Sequence, residues 1–576
     1  MSEIKITLWV RRNLWKAVVM LITMFSIQCN KPSSPAPPAP GPPAGSANFD
    51  ILSQSISGIN FTATQTLFGM TNSPAIRVQF TDRIDKNSVT SSVIAFNNKT
   101  RGMTAVPYSV SYQNGDSVLV VSPTSPLDYL NEFVFSVSSL LKSATGKALS
   151  TRVDLDFVTQ YDPADKFPRI SDDALLDLVQ KQTFRYFWDN AHPVSGLARE
   201  RNSSGETVTS GGSGFGIMSI LVADKRQFIT HGDALARMQK IVDFLKNKAD
   251  RFHGAFPHWL NGTTGKVIPF SANDNGADLV ETSYLMEGLL CARQYFTAAD
   301  AGETSLRNDI NSLWNAVEWN WFTQGGQNVL YWHWSPDKNW VMNFPIHGWN
   351  EALIAYVLAA ASPSSPVSKL VYDNGWAQNG AMKNGQSFYN LTLPLGPPQG
   401  GPLFFEHYSF TGINPQSLTD AYADYEAQTK AHTLINYNYC KTNPKGYFGY
   451  SDQCWGLTAS DDDVAGYAVH APTGDDGVIS PTAALSSLPY APAESMNALR
   501  FFYYKLGDKL WRDQGFVDAF NLQDLWFDDS FLAIDQGPEI IMIENYRSGL
   551  LWKLFMSCPE VTQGMKSLGF QSPNLN

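Results

Sequence analysis

Residues 171–188 read SDDALLDLVQKQTFRYFW, and here the hydrophobic period of the chain changes. Ser171 followed by Asp172 and Asp173 is a helix start: a hydroxyl for the first free amides, then two carboxylates at the positive end of the helix dipole. Leu176, Val179 and Phe187 fall on one face. Upstream, from about Phe49 to Val158, the period is two. Ile76, Val78 and Phe80 alternate with polar residues, as do Phe133, Phe135 and Val137, and Val153, Leu155 and Phe157. Asn114-Gly115 between two such runs reads as a tight hairpin turn. Several short strands over about a hundred residues predict a β-sandwich. Downstream, helical stretches recur near 214–228, 232–250, 277–297, 302–322, 348–362, 365–377, 418–437, 482–488, 492–506 and 538–557. Few strand runs interrupt them, which disfavours parallel α/β. Such a string closes most naturally into a helical toroid of paired helices around a central axis.

The chain has 576 residues, enough for two or more domains, one of them large. A content of 43% hydrophobic and 16% charged residues fits a well-buried globular protein. A net charge of -11 makes nucleic acid an unsuitable partner. The 16 Trp, 23 Tyr and 34 Phe serve cores, and they also serve sugar sites, where C–H faces stack on rings. Neither GxxxxGK[ST] nor GxGxxG occurs, so no phosphate cradle is indicated. Among Cys291, Cys440, Cys454 and Cys558 there is no CxxC, so a structural zinc site is not expected. Buried free thiols are preferred over a Cys440–Cys454 pair.

At the N-terminus Arg11, Arg12 and Lys16 precede an apolar run, Ala17 to Ile27, too short to span a bilayer. The run ends at Ser26-Ile27-Gln28-Cys29. It resembles a bacterial lipoprotein signal over residues 1–28, which implies lipidation of Cys29 and a membrane partner through that anchor. With Asn30 next, the resemblance implies sorting to the outer membrane of a bacterial envelope. Residues 29–48 form a Pro-rich linker (KPSSPAPPAPGPPAGS from Lys31), an extended tether. The strands over 49–160, with PAIRVQFTDRIDKNSV, NGDSVLVVSP and ATGKALS in order, resemble a bacterial Ig-like domain. No acid pair or nucleophile motif lies there, and a spacer role is preferred.

Residues 273–288, NDNGADLVETSYLMEG, place Asp274, Asp278 and Glu281 at i, i+4 and i+7. On a helix these lie on one face, within roughly 60° of one another. Like charges stacked so repel, and the nearest basic residues are Lys266 and Arg293. Long loops of a compact domain commonly carry function, and here they mix aromatics with His, Asp and Glu: RFHGAFPHWL (251–260), WVMNFPIHGWNE (340–351), GPLFFEHYSF (401–410), WGLTASDDD (455–463) and DQGPEIIMIENYR (535–547). Such groups stack on sugar rings and bind hydroxyls. The run Asp461–Asp463 reads as a solvated or capping loop, without Ca²⁺-loop spacing.

Together, FRYFWDNAHPVSGLARER, NDNGADLVETSYLMEGL, NFPIHGWNEALIAYVLAAASP, GPLFFEHYSF, WGLTASD and IDQGPEIIMIENYRSGLLW resemble, in order, the bacterial glucoamylase-like proteins of glycoside hydrolase family 144. The resemblance implies a multi-domain chain: an Ig-like β-sandwich followed by an all-α (α/α)6 barrel over 168–570. It implies inverting hydrolysis of β-1,2-glucan or its oligosaccharides, with no metal or organic cofactor. A monomer is expected. Inversion needs one protonated carboxyl at the leaving oxygen and a carboxylate that activates water, roughly 6.5–9.5 Å away. By resemblance Glu351 is the general acid. Asp274, Asp278 and Glu281 form the acidic wall at the cleaved bond, and Asp535 is the base or a proton relay. Trp349, His347, Trp455, Phe405, His407, His258, Trp259 and Tyr284 are expected to line the sugar groove. Structural roles compete with these: helix capping for Asp274 and Asp535, a first-turn partner of the helix dipole for Asp278, a buried-arginine pair for Glu351, and core packing or a satisfied histidine for the aromatics and histidines. A polysaccharide lyase and a non-catalytic glycan-binding lipoprotein are the alternative functions. An acid-lined site disfavours the first, and retention of the acids disfavours the second.

Overall fold

The computed structural model describes residues 48–63 and 65–575. The expected signal, Cys29 and nearly all of the linker lie outside the described residues. No helix among them is long and apolar enough to cross a membrane.

Ten strands form the N-terminal part: β1 (Ile51–Ile56), β2 (Ile59–Asn60), β3 (Thr66–Met70), β4 (Ile76–Phe80), β5 (Ile94–Asn98), β6 (Thr104–Ala105), β7 (Tyr108–Gln113), β8 (Val118–Pro123), β9 (Glu132–Val137) and β10 (Val153–Thr159). They make two five-stranded sheets, ordered β2-β1-β4-β8-β7 and β3-β10-β9-β5-β6. The period of two has its expected cause. Ile76, Val78 and Phe80 are buried while Arg77 and Gln79 are half-buried. Phe96, Phe133, Phe135 and Phe157 fill the space between the sheets, with ring centroids 5.4–6.2 Å apart. Asn114-Gly115 does turn the chain between β7 and β8. Because Gln113 pairs with Val118, the loop is longer than a two-residue hairpin, and Asn114, Gly115 and Asp116 all take positive φ.

The remainder is helical: α1 (Asp172–Trp188), α2 (Ser210–Lys225), α3 (His231–Asn247), α4 (Leu279–Tyr295), α5 (Ala301–Ala316), α6 (Leu353–Ala361), α7 (Tyr425–Thr442), α8 (Pro481–Ser486), α9 (Pro492–Tyr504), α10 (Ala533–Arg547), α11 (Leu550–Met556) and α12 (Pro559–Leu568). Ser171 caps α1 through Ala174 N, as its sequence predicts. The helices sort by burial into two layers. α2, α4, α6, α8 and α10 are buried almost all round, whereas α1, α3, α5 and α12 bury one face. α2 packs on α4 and α10, α10 on α8, and α4 on α6. Glycine makes the central crossing possible: a Cβ on Gly214 would lie 2.1 Å from the Tyr284 carbonyl oxygen, and one on Gly288 2.3 Å from that of Gly214.

Several boundaries differ from the sequence pattern. The stretch near 348–362 becomes helical only at Leu353, after Gly348 at φ 75°. That near 365–377 shrinks to one turn, Lys369–Val371, continued by a π turn. That near 538–557 begins at Ala533 with Pro538 inside it, and breaks at Gly549, φ 68°, into α10 and α11. α12 was not expected. The four cysteines of the described residues are free and buried.

Candidate active site

The N-terminal ends of α2, α4 and α10 converge on a cavity of about 500 Å³. Thr209, the N-cap of α2, and Leu532, the N-cap of α10, line it, and Asp278 caps α4 beside it. The positive ends of these helix dipoles therefore face a space rich in carboxylates. The carboxylates Glu200, Glu281 and Glu351, the cation Arg201, the tyrosines Tyr284, Tyr408 and Tyr467 and the rings of Trp259, Phe270, Trp332 and Phe404 line it.

The acidic stripe is a cluster, but not a helical one. Helix α4 starts at Leu279, because Asp278 accepts from Glu281 N (2.9 Å) and ends the extended segment as a cap. Asp274 lies in the preceding turn, bridged to Ser271. Backbone pairing brings the group together instead. Ala277–Asp278 forms a two-residue ladder with His333–Trp334, with Asp278 opposite His333. The His333 Nδ1 then stands 3.4 Å from Asp274 Oδ2 and 3.7 Å from Asp278 Oδ2. His258 Nδ1 is 3.2 Å from Asp278 Oδ2, and its Nε2 4.0 Å from Glu281 Oε1.

These cations relieve the repulsion expected of three acids. Burial works to raise the Asp278 carboxyl, but the hydrogen bond from His258 and the charges of both histidines hold it below the usual carboxylate range. Burial opposes charge on His258, yet Glu281, Asp278 and Asp274 lift it to about 9. Glu281 keeps a raised value through burial, although His258, Gly211 N (2.7 Å) and Thr209 Oγ1 (3.1 Å) favour its ionised form. Gly211 has to be glycine for this approach, since a Cβ there would meet Glu281 Oε2 at 2.6 Å.

Glu351 sits just before α6, and its carbonyl accepts from Tyr284 (3.3 Å) and from Ser409. Burial pushes its carboxyl up to about 7; the charges of Asp278 and Glu281 add to the rise, and its own backbone amide opposes it. No cation is among the groups that act on it. The competing reading of Glu351 as the partner of a buried arginine is thereby replaced.

Asp535 lies in the first turn of α10, 4% exposed, behind the cavity wall. The Tyr408 hydroxyl, whose ring lines the cavity, reaches Asp535 Oδ1 at 3.4 Å. Asp518 Oδ1 and Asp535 Oδ2 are both buried without another hydrogen-bond partner, and the two carboxyls act on each other. Two carboxyls can share a hydrogen bond only when one holds a proton. Burial and the Asp535 charge push Asp518 well above the usual range, so Asp518 is the donor. Its Oδ2 accepts from Asp461 N at 2.8 Å. Burial raises Asp535 to about 7, and the bond from Asp518 pulls the other way. Asp461, expected in a solvated loop, is 5% exposed and held by both of its oxygens to Arg201 Nη1, at 3.1 and 2.9 Å.

Of the residues expected to line the groove, His258, Trp259 and Tyr284 do so. Five do not. Trp455 is fully buried and donates toward the Glu494 carbonyl, and Trp349 is core, bonded to Glu406 and packed on Trp376, Phe410 and Tyr425. His407 is buried against Ser487, and burial lowers it to about 3. His347 is exposed on its loop, bonded to the Pro345 carbonyl. Phe405 packs on Gly401, and its neighbour Phe404 faces the cavity instead. Sequence reading missed Trp332 and His333, although YWHW at 331–334 carries the same aromatic and His mixture as the quoted loops. It missed Arg201 and Tyr408 inside stretches it had quoted, and Asp518 gave no signal at all.

The Glycoamylase family model matches residues 343–559. An exo β-1,2-glucooligosaccharide sophorohydrolase (non-reducing end) of Parabacteroides distasonis is 45% identical over 421 residues, 69% of this chain; the chain spans 58% of that relative's length. The endo-β-1,2-glucanase of Chitinophaga pinensis, solved with sophorotriose and glucose, is 53% identical with a TM-score of 0.69, covering 70% of this chain and 100% of that one. A β-1,2-glucanase structure from Parabacteroides distasonis covers 90% of this chain and 74% of its own at 36% identity and a TM-score of 0.68, so the likeness reaches into the sandwich. With relatives that match at this level, the chain belongs to the glucoamylase-like family, glycoside hydrolase family 144.

Proposed function

We infer that the chain is an inverting glycoside hydrolase of β-1,2-glucan or its oligosaccharides, built as an Ig-like sandwich and an (α/α)6 barrel. Six inner segments support the barrel: α2, α4, α6, the turn Leu403–Glu406, α8 and α10, each preceded by an outer segment. The observation that carries the chemistry is Glu351, a cavity-lining carboxyl raised to about 7 by burial with no cation acting on it. Such a group is protonated near neutrality and serves as general acid. It protonates the leaving O2 as the C1–O2 bond breaks. Water attacks C1 from the opposite face and gives its proton toward Asp535, which the cavity reaches through Tyr408 and through water or a substrate hydroxyl. Asp518, by donating to Asp535, favours its ionised form against the rise that burial causes. His258, with Asp278 behind it, offers a charged donor to glucose hydroxyls, and Trp259, Phe270, Trp332 and Phe404 offer ring faces.

A lyase needs a cation free to neutralise a uronate. Arg201, the arginine at this cavity, is already engaged by Asp461 and Glu200. A binding protein gains nothing from a buried carboxyl kept without a cation. The protein lacking residues 1–46, incubated with linear β-1,2-glucan, tests the reading by product size over time. A ladder of oligosaccharides marks endo cleavage, and one small product exo cleavage. Absence of hydrolysis of every neutral glucan refutes it. Lipidation at Cys29 and an outer-membrane location belong to the same proposal. Labelling of the full chain with a fatty-acid analogue, lost in Cys29→Ser, tests that part.

A further inference from the structure

The hairpin Ala459–Asp462 and Gly466–Val469 carries Ala459 and Tyr467 to the cavity. Its base holds side chains that the hydrolytic chemistry does not use. Asp462 closes the first strand, His470 follows the second, and Asp476 lies in the next loop. His470 is 1% exposed and Asp462 5%. His470 Nδ1 is 2.8 Å from Asp476 Oδ1. A neutral imidazole held this way keeps its proton on Nδ1 and turns the Nε2 lone pair to the opposite side, the arrangement seen when a carboxylate orients a metal-binding histidine. Here Nε2 is buried and has no hydrogen-bond partner.

Facing it is Asp462 Oδ2 at 3.9 Å, beyond hydrogen-bond length. The other oxygen of Asp462 is committed to the amides of Val464 (2.7 Å) and Ala465. That fixes the carboxylate with Oδ2 toward the ring. Asp462, His470 and Asp476 each bring one ligand atom within 4.8 Å of the others. The buried Nε2 has lost its solvation on folding without gaining a partner, and the fixed carboxylate oxygen opposite it is the nearest ligand of opposite charge to an ion placed there.

We propose that His470 Nε2 and Asp462 Oδ2 bind a divalent transition-metal ion, with Asp476 orienting the imidazole and water completing the coordination. Two donors each about 2.1 Å from one ion stand at most about 4.2 Å apart, and 3.9 Å falls within that span. One imidazole with carboxylate suits Zn²⁺ or a neighbour in its row, whereas Ca²⁺ and Mg²⁺ take oxygen sets. The ion ties the end of the first strand to the segment after the second. It thereby fixes the hairpin that places Tyr467, a residue 44% exposed, at the cavity. The sequence implied no metal because the ligands are separated by a hairpin and match no ligand-spacing motif.

The test uses untagged protein, freed of metal by chelation and titrated separately with ZnCl2, MnCl2 and CaCl2. Calorimetry reads stoichiometry and thermal unfolding reads Tm. One equivalent of Zn²⁺ or Mn²⁺ per chain is expected, with Tm rising about 2–3 °C at a hundredfold excess over Kd. His470→Gln and Asp462→Asn lose the response. Asp476→Asn, at an exposed position where misfolding is not a concern, weakens affinity about 10- to 100-fold. Absence of saturable Zn²⁺ and Mn²⁺ binding, a response to Ca²⁺ alone, or undiminished binding in Asp476→Asn overturns the proposal. None of these readouts depends on hydrolysis, so failure here is separable from failure of the proposed activity.

Discussion

Glu351→Gln should abolish hydrolysis and, at alkaline pH, stabilise the fold. The carboxyl's folded value is about 7 against an ordinary 4.5. A raised carboxyl means that the folded state holds the proton more tightly than the unfolded chain. Stability is therefore unaffected below about pH 4.5, falls between there and about pH 7, and stays reduced above. Full ionisation of a group displaced this far costs up to about 3 kcal/mol. Glu351 lines the cavity and is only half-buried, and screening brings the expected cost to about 1–2 kcal/mol. The amide of glutamine has the same shape and cannot ionise, so the variant escapes that cost. Over a helical region of this size, with about 2 cal/mol/K of unfolding entropy per residue, the gain is about 1–2 °C in Tm. The assay pairs calorimetric unfolding of both proteins at pH 4.5, 6, 7 and 8.5 with rates on β-1,2-glucan. Expected are coincident Tm values at pH 4.5, a gap that opens toward pH 8.5, and a rate at least about a hundredfold lower throughout. A variant with full activity refutes the acid assignment. A gap that does not vary with pH refutes the buried, cation-free environment from which that assignment was derived.

The rate on glucan should fall as pH rises through about 7, when Glu351 loses its proton; a limb above pH 9 in the kcat/KM profile would implicate another acid. Asp518→Asn should stay within a few-fold of wild type, because its amide can donate to Asp535 while its oxygen accepts from Asp461 N, whereas Asp518→Ala should lose at least about tenfold. Equal damage in the two variants would show that a charged Asp518 is required. His258→Gln should lose stability relative to wild type by about 2–3 kcal/mol below pH 6.5, and the deficit should vanish as pH rises through about 9, because the folded imidazole is raised to about 9; a constant deficit in denaturant titrations would refute its charged state. Trp455→Ala should cost about 3–5 kcal/mol of stability with KM unchanged, since the ring is wholly core; a raised KM would return it to the substrate groove.

Regular periodicity was legible because it follows from burial. The alternation at Ile76, Val78 and Phe80 and the capped start at Ser171 each express one local cause, and the chain obeys it. Boundaries failed where a single residue outweighed the pattern. Asp278 is a good helical position by spacing, yet its carboxylate binds Glu281 N and ends the helix below it. Gly549 breaks a continuous apolar face at φ 68°. The site was legible at the level of acids, because buried carboxylates without nearby lysines are rare. The aromatics were not, since a tryptophan lining a groove and one filling a core differ only in what lies opposite. Trp259 and Trp455 come from sequence stretches of similar composition, yet one opens a short strand at the cavity and the other meets Tyr437. Asp518 was invisible for the same reason: its role comes from Asp535, which reaches it only through the fold.

The placement of cations, more than that of acids, divides the work of the site. Asp278 faces two histidines, which hold it below the usual carboxylate range, and Asp461 is bound by Arg201; these carboxylates serve as struts. Asp518 and Asp535 are as buried as these and Glu351 is half-buried, but among the described residues no cation forms an ion pair with any of them. Low dielectric then penalises their charge, so protons remain there near neutrality. Exchange of one cation for a neutral group should therefore move a strut carboxylate into the proton-holding class. That is the reason His258→Gln is expected to change the ionisation of Asp278 and Glu281 as well as to remove a substrate contact. The clustering that looked like unrelieved repulsion in the sequence is, in the fold, two acid populations separated by where three basic side chains were placed.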